Sequence, residues 1–165
     1  MKPKGHQPSP LSKASSIRVL VADGSPVMLR ALQGVLATDD RFDVVGTASS
    51  GHEAILTAAS LKPQLVLVDL HLPHLDGPQV TRCLKQFEKP PVVFMVTSDD
   101  SIASRATSSA VGADAFILKS TNLPRQLESK LQERFGPNHR PSIGSDATPP
   151  GTSTTRATPS SALSR

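Results

Sequence analysis

Four polar side chains stand where apolar runs of the sequence end. Asp23, Asp69 and Thr97 lie at or just past the ends of three such runs, and Lys119 follows another. A carboxylate, a hydroxyl and an ammonium around one crevice suit phosphoryl transfer, because a carboxylate can attack phosphorus while fixed donors and cations neutralise the developing oxygen charge. In that chemistry Asp69 is the nucleophile, Thr97 donates a hydrogen bond, and Lys119 pairs with a phosphoryl oxygen. Asp23 would help to hold Mg²⁺.

The elements that must position these side chains are predicted from the hydrophobic pattern. Short apolar runs rich in β-branched residues suit strands buried on both faces. They cover residues 17–22, 44–48, 65–68, 92–96 and 115–118. Between these runs lie segments whose apolar residues recur with helical spacing. In one segment they are Met28, Ala31, Leu32 and Val35, and in another they are Val80, Cys83, Leu84 and Phe87.

Helix starts agree with this division of the chain. Ser25 precedes Pro26, and Asn122 precedes Leu123 and Pro124, which are typical of an N-cap followed by the first helical turn. Alternating strands and helices predict right-handed βαβ units. We therefore expect an α/β fold, a doubly wound five-stranded parallel sheet of the flavodoxin-like type. Its chemistry should gather beyond the carboxyl ends of the strands, where the strand order reverses.

Composition predicts one folded domain between two tails. Residues 1–16 and 136–165 are rich in Ser, Thr, Pro and Gly and have little to bury, so we expect them to be disordered and the folding unit to span 17–135. The tails carry the basic charge, because their net charge is about +5 whereas the whole chain has +4. A basic fold and direct nucleic-acid binding are therefore not predicted, although tail binding to an acidic surface stays open beside solvated disorder.

Cysteine content and hydropathy indicate the compartment. The only cysteine, Cys83, excludes an intramolecular disulfide and a cysteine-based zinc site, and it fits a reducing environment. The sequence has neither the apolar segment of a signal peptide nor a run of membrane-spanning length. We expect a cytoplasmic protein without membrane insertion.

Motifs over residues 17–135 resemble the receiver domains of bacterial two-component signalling. Residues 17–28, IRVLVADGSPVM, are similar to the first strand and acidic loop of that family. The segment DLHLPHLDG at 69–77 resembles its phosphoacceptor segment. VTS at 96–98 and FILK at 116–119 resemble its switch hydroxyl and its aromatic residue followed by lysine.

The resemblance implies a response regulator that is a switch, not a substrate-turnover enzyme. A sensor histidine kinase or phosphotransfer protein would phosphorylate Asp69 with Mg²⁺ present. Metal ligands would be Asp69, the backbone carbonyl of His71 and, through water, Asp23. Thr97 would then move inward and Phe116 would follow, which changes the partners of the face formed by the fourth helix, fifth strand and fifth helix. The chain has no predicted DNA-binding helix pair after Phe135, so output is expected through a further protein. A homodimer stays open.

One position departs from the family pattern. The family usually has two adjacent acidic residues after the first strand, whereas Gly24 follows Asp23 here. Losing one carboxylate should weaken Mg²⁺ binding, because this ion is held by few carboxylates in a strict octahedral geometry. Either phosphorylation persists with weak metal binding, or the domain is a phosphorylation-independent interaction module. Asp99 and Asp100 could supply the missing ligand, with helix capping as the alternative role.

Other classes fit the residues less well. His71 and His74 flank a proline without a third imidazole or cysteine nearby, so they are predicted to be solvent-facing rather than a metal pair. A haloacid-dehalogenase-like phosphatase would need an acidic residue at His71, and a flavin site would lack Trp and Tyr for stacking. Phe116 has a core-only alternative, since an aromatic residue in a strand is usually core.

Overall fold

Strands and helices alternate from end to end of the computed structural model, which describes residues 16–136. The strands are β1 (Ile17–Ala22), β2 (Phe42–Ala48), β3 (Leu65–Asp69), β4 (Val92–Thr97) and β5 (Ala115–Leu118). The helices are α1 (Pro26–Leu36), α2 (Gly51–Leu61), α3 (Gly77–Lys85), α4 (Ile102–Ala110) and α5 (Leu123–Phe135). Apart from Ser16 and Gly136, the two predicted tails lie outside the described residues.

The five strands form one parallel sheet in the order β2-β1-β3-β4-β5. The predicted flavodoxin-like fold is confirmed. Successive strands are added on one side of β1 and then on the other, so the order reverses between β1 and β3. A crevice opens at such a reversal beyond the carboxyl ends of the two strands.

Each face of the sheet has its own apolar core. On one face, β1 residues Val19 and Val21 pack with α1 and α5. On the other face, Leu20 and Ala22 of the same strand pack with α2 and α3. Because successive side chains of a strand point to opposite faces, continuous apolar runs are required for burial on both. The central strand β3 is buried along its whole length.

Strands β3 and β4 each end one residue later than predicted, at Asp69 and Thr97, and two further local predictions differ from the structure. β2 begins at Phe42, two residues before the predicted start, because an edge strand tolerates the half-buried polar side chain of Asp43. On α1 the buried residues are Leu32 and Leu36, and Ala31 is exposed. Ala31 lies about 100° around the helix from Leu32, at the edge of the buried arc.

The two predicted helix starts have different outcomes. The Ser25 hydroxyl accepts a hydrogen bond from the Met28 amide at 3.4 Å, with Pro26 in the first turn. Asn122 stands at the start of α5, but its side chain makes no capping bond. The Asn122 amide instead donates to the Ser120 hydroxyl at 3.3 Å, so the turn before α5 is stabilised from within. Over residues 16–136, the structure has no helix with the length and apolar character of a membrane span.

Candidate functional site

The site is built on the carboxyl ends of four strands. Asp69 and Thr97 are the last residues of β3 and β4, while Asp23 and Lys119 directly follow β1 and β5. Backbone hydrogen bonds continue past the strand ends and hold these residues in place: the Lys119 amide donates to the Thr97 carbonyl at 2.6 Å, and the Asp23 amide donates to the Ala48 carbonyl at 3.0 Å. The predicted convergence of the four residues at one edge of the sheet therefore follows from strand order.

Lys119 bridges the two carboxylates. Its Nζ lies 2.7 Å from Asp23 Oδ2 and 2.9 Å from Asp69 Oδ1. Side-chain exposure is 13% for Lys119, 1% for Asp23 and 10% for Asp69. The three ionised groups leave a net charge of −1 in a largely buried setting, which favours a further cation because an unbalanced buried charge is costly.

One oxygen of the Asp23 carboxylate takes part in an ion pair but accepts no hydrogen bond. Oδ1 accepts from the Ser25 amide at 2.8 Å. Oδ2 is buried, and although Lys119 Nζ is close, no donor meets it in hydrogen-bond geometry; it is the only such side-chain atom in the described part of the chain. Two carboxylates with a free lone pair are the hard oxygen donors that Mg²⁺ prefers. The residues present therefore fit this ion, with Asp23 and Asp69 as carboxylate ligands and the His71 carbonyl as a candidate third.

Gly24 leaves the acidic pocket one carboxylate short. Its φ lies outside the left-handed region, and a Cβ built there would meet Pro73 Cδ at 3.4 Å, an ordinary contact. The position therefore accepts a Cβ, and its backbone conformation does not require glycine. Residues 16–136 contain no group of three or more His, Cys, Asp or Glu placed to hold a metal ion.

Asp99 and Asp100 make their side-chain contacts with residues at the start of α4. The Asp99 carboxylate accepts from the Ser101 amide at 2.9 Å and from the Ser104 hydroxyl at 2.5 Å. The Ser104 hydroxyl, followed by the Ser101 amide, holds the pKa of Asp99 below its ordinary value. Asp100 forms an ion pair with Arg105. The N-cap of α4 is Ser101, whose hydroxyl accepts from the Ser104 amide, so the two carboxylates support the start of the helix without capping it.

Thr97 is connected to the same loop. Its side chain is fully buried, and its hydroxyl accepts a hydrogen bond from the Asp99 amide at 3.0 Å. The hydroxyl is thereby placed between the crevice and the start of α4. Thr97 therefore links the end of β4 to the loop before α4.

Phe116 belongs to β5, and its ring is partly buried. The Arg105 guanidinium lies over the ring, with Cζ 4.6 Å from the centroid, in cation–π geometry. Phe116 also borders a cavity of about 280 Å³, whose other lining residues are Asn122, Arg125, Gln126, Ser129 and Lys130.

The histidines are arranged differently from the pair considered in the sequence. His71 is exposed, and its electrostatic interaction with Asp99 is the smallest of the causes that lower the pKa of that carboxyl group. The ring of His74 faces His52, with the centroids 6.2 Å apart. Sequence reasoning missed His52, since it comes from the start of α2 and only the tertiary fold brings it to His74.

Comparison with known proteins agrees with the fold. The sequence matches the response regulator receiver domain over residues 19–132. A protein-glutamate methylesterase/protein-glutamine glutaminase of Methanospirillum hungatei is 37% identical over 99 residues, which are 60% of this chain and 28% of that protein. The uncharacterised transcriptional regulatory protein YhcZ of Bacillus subtilis is 32% identical, over 73% of this chain and 56% of its own length.

Solved structures give the same assignment. The response regulator domain of Thermotoga maritima CheB superposes with a TM-score of 0.64 at 31% identity, covering 71% of this chain and 95% of that domain. The receiver domain of a NarL regulator from Mycobacterium tuberculosis gives a TM-score of 0.64 at 27% identity, covering 70% and 97%. The chain spans about a third of the length of the methylesterases that it matches. The chain belongs to the response regulator receiver domain family of two-component signalling.

Proposed function

We propose that this chain is a phosphoacceptor switch, which takes a phosphoryl group on Asp69 from a sensor histidine kinase or phosphotransfer protein and relays it through protein contacts. The observation that carries the proposal is the position of Lys119 Nζ, 2.9 Å from Asp69 Oδ1 and 2.7 Å from Asp23 Oδ2. A cation held beside a nucleophilic carboxylate can neutralise charge on an incoming phosphoryl group without reorganisation.

The phosphoryl transfer forms one bond to phosphorus and breaks another. An oxygen of the ionised Asp69 carboxylate attacks phosphorus, the P–N bond of the donor phosphohistidine breaks, and the imidazole leaves while the new P–O bond forms. Lys119 then pairs with a phosphoryl oxygen in place of its present contact with Asp69 Oδ1. Thr97, whose hydroxyl now accepts from the Asp99 amide, would donate to another phosphoryl oxygen.

Magnesium, when bound, supplies positive charge that offsets the phosphoryl oxygens. Asp23, Asp69 and the His71 carbonyl would hold it, and the buried Oδ2 of Asp23, which accepts no hydrogen bond, supports this assignment. Since Gly24 removes one carboxylate, we expect Mg²⁺ to bind weakly.

The signal would leave the site through the loop after β4. Movement of the Thr97 hydroxyl releases the Asp99 amide, and Asp100 next to it holds Arg105 on the Phe116 ring. A local charge change at Asp69 thereby reaches α4 and Phe116 by a short chain of contacts. This is a two-state element biased by one charge.

Gly24 favours a second candidate function. A receiver that binds Mg²⁺ too weakly would rarely be phosphorylated and would act as a phosphorylation-independent interaction module. The presence of Asp69, Thr97 and Lys119 argues for the first function, and the missing acidic side chain argues for the second.

The activity of a longer protein is not inferred from the methylesterase relatives, because this chain covers only their receiver-like part. For the chain itself we propose a folding unit of residues 17–135 between two tails, a cytoplasmic location, and output through a further protein. We do not propose substrate turnover or direct nucleic-acid binding. A homodimer remains a candidate form of the active state.

The test is a titration of the full chain with beryllofluoride and Mg²⁺, followed by backbone amide NMR shifts. Beryllofluoride mimics a phosphoryl group on a carboxylate, so a competent switch should give saturable shifts near Asp69, Thr97 and Phe116. Asp69→Asn is the blank, because the attacked oxygen is lost. Gly24→Asp is the matched control for the metal, since the position accepts a Cβ.

The outcomes separate the two functions. Shifts in the native chain that vanish in Asp69→Asn support the phosphoacceptor switch, and tighter Mg²⁺ binding in Gly24→Asp would identify the missing carboxylate as the cause of weak binding. A native chain that stays silent, while Gly24→Asp responds, would overturn the switch and support the interaction module.

A further inference from the structure

Two imidazoles that are distant in sequence meet beside the phosphoacceptor crevice. His52 is the second residue of α2, and His74 lies in the loop between β3 and α3. Their ring centroids are 6.2 Å apart and the ring planes make an angle of 56°. Both residues are exposed, so solvent and ions can reach the rings. No part of the proposed phosphoacceptor chemistry uses either side chain.

The backbone holds the two loops together rigidly. The Gly51 amide donates to the Pro73 carbonyl at 3.2 Å. A Cβ at Gly51 would overlap the carbonyl oxygen of Leu75, so the two segments are in direct backbone contact. His74 itself adopts φ of 69°, in the left-handed region that few side chains occupy without cost. These contacts therefore fix the main-chain positions of His52 and His74 relative to each other.

That separation suits a shared metal ion. Imidazole nitrogens bind Zn²⁺ at about 2.0–2.1 Å, which places the metal roughly 3 Å from each ring centroid. Two rings on one ion then have centroids about 5–6 Å apart, depending on the angle at the metal. Because both side chains are exposed, small rotations about their side-chain bonds close the remaining difference from the observed 6.2 Å.

We infer that His52 and His74 form a binding site for a divalent transition metal ion of the Zn²⁺, Ni²⁺ or Cu²⁺ class. The two imidazole nitrogens are the protein ligands, and water completes the coordination. Imidazole suits these ions, whereas Mg²⁺ prefers oxygen, so the site is chemically distinct from the carboxylate pocket of Asp23 and Asp69.

A metal there would crosslink two segments beside the site. It would tie the start of α2 to the β3–α3 loop next to Pro73, the residue that a side chain at position 24 would contact. The inference does not rest on phosphorylation of Asp69, since it needs only the geometry of the two rings.

The experiment is a calorimetric titration of the full chain with ZnCl₂ in phosphate-free buffer that contains excess Mg²⁺. His52→Gln and His74→Asn each remove one ligand, and asparagine is chosen at 74 because it tolerates positive φ. His71→Gln is the matched control, since it lies in the same loop and its ring is not part of the pair. The tail histidines His6 and His139 are kept in all variants.

We expect one Zn²⁺ per chain, an affinity that falls at least about tenfold in His52→Gln and in His74→Asn, and no change in His71→Gln. Addition of Cu²⁺ to the ¹⁵N-labelled chain should broaden amide signals first around residues 50–54 and 72–76. Zinc binding that survives both ligand variants, falls equally in His71→Gln, or is absent from the native chain would overturn the site. Preserved amide spectra in the variants would show that each loss reflects the ligand and not the fold.

Discussion

Helices α4 and α5 flank the same strand, but they are held by different forces. α5 buries four apolar side chains along one stripe: Leu123, Leu127, Leu131 and Phe135. α4 buries only two serines, Ser104 and Ser108, and its one large apolar residue, Ile102, is 87% exposed. Hydrophobic burial thus fixes α5, whereas hydrogen bonds and charges fix α4.

Because of this difference, we expect α4 to be displaced more easily than α5. Apolar burial is non-directional and adds up over a stripe, so α5 resists displacement. The contacts of α4 are few and directional: Ser108 donates to the Ser104 carbonyl at 2.8 Å and contacts Met95 Sδ at 2.9 Å, and Asp99 accepts from Ser104. Such contacts can be exchanged when a neighbouring charge changes. We therefore expect α4 to be the element that opens at low free energy.

The largest expected effect comes from the apolar side of the comparison. Leu127→Ala removes a fully buried side chain from the core of α5 and should lower the free energy of unfolding by about 2–5 kcal/mol. Chemical denaturation monitored by circular dichroism measures the loss. A cost below about 1 kcal/mol would contradict the view that α5 is held by burial.

A smaller effect is expected where charge holds α4 on β5. Arg105→Gln removes the cation over Phe116 and the ion pair with Asp100, both at a partly exposed site, so stability should fall by less than about 1 kcal/mol. Hydrogen exchange should accelerate in α4 and stay unchanged in α5. Lys130→Gln is the control, because it removes an exposed cation that pairs within α5. Equal acceleration in both helices would contradict the proposed division.

Replacement of the serine contact should change stability still less. Ser108→Ala removes the donor to the Ser104 carbonyl, but alanine has the highest helix propensity and fills the same space. We expect the free energy of unfolding to change by no more than about 0.5 kcal/mol in either direction. The midpoint of chemical denaturation measures this change. A loss as large as that of Leu127→Ala would show that α4 is anchored as firmly as α5.

The smallest effect is a pH dependence confined to α4. The pKa of Asp99 lies below its ordinary value of 3.8, chiefly because of the Ser104 hydroxyl. A depressed folded-state pKa gives stability that is complete well above pH 3.8 and is lost as pH falls through the lower folded value. Intrinsic-rate-corrected hydrogen exchange of α4 should therefore accelerate on acidification below about pH 4 relative to α5. Asp99→Asn should abolish that dependence; its persistence in the variant would assign it to another carboxyl group.

The strands could be predicted because each buried strand requires a continuous run of apolar residues in the sequence. Runs such as 17–22 and 115–118 match β1 and β5 in full, since a strand buried on both faces needs continuous apolar residues. The failures were local in cause. The edge strand β2 includes the polar residue Asp43. Before α5, a hydrogen bond to the Ser120 hydroxyl takes the place of a side-chain cap by Asn122. The spacing of apolar residues in the sequence predicts neither feature.

The sequence predicts which residues meet at the candidate site, but it does not predict the contacts between their side chains. Placement of Asp23, Asp69 and Lys119 at one edge follows from parallel strands, whose carboxyl ends share an edge. The bridging position of Lys119, the Asp23 oxygen that accepts no hydrogen bond and the meeting of His52 with His74 depend on loop packing between distant segments. Sequence alone carries no signal for those contacts.

Three glycines around the crevice differ in what they could become. A side chain at Gly51 or Gly77 would overlap the backbone of Leu75 or of Asp69 itself, whereas one at Gly24 would only touch Pro73. Every glycine codon becomes a codon for aspartate or glutamate when its middle base changes to adenine. Of these three positions, only Gly24 can accept an acidic side chain without a backbone clash, and one base change is enough to introduce it. Selection or engineering can therefore change the metal affinity of this chain without rebuilding the fold.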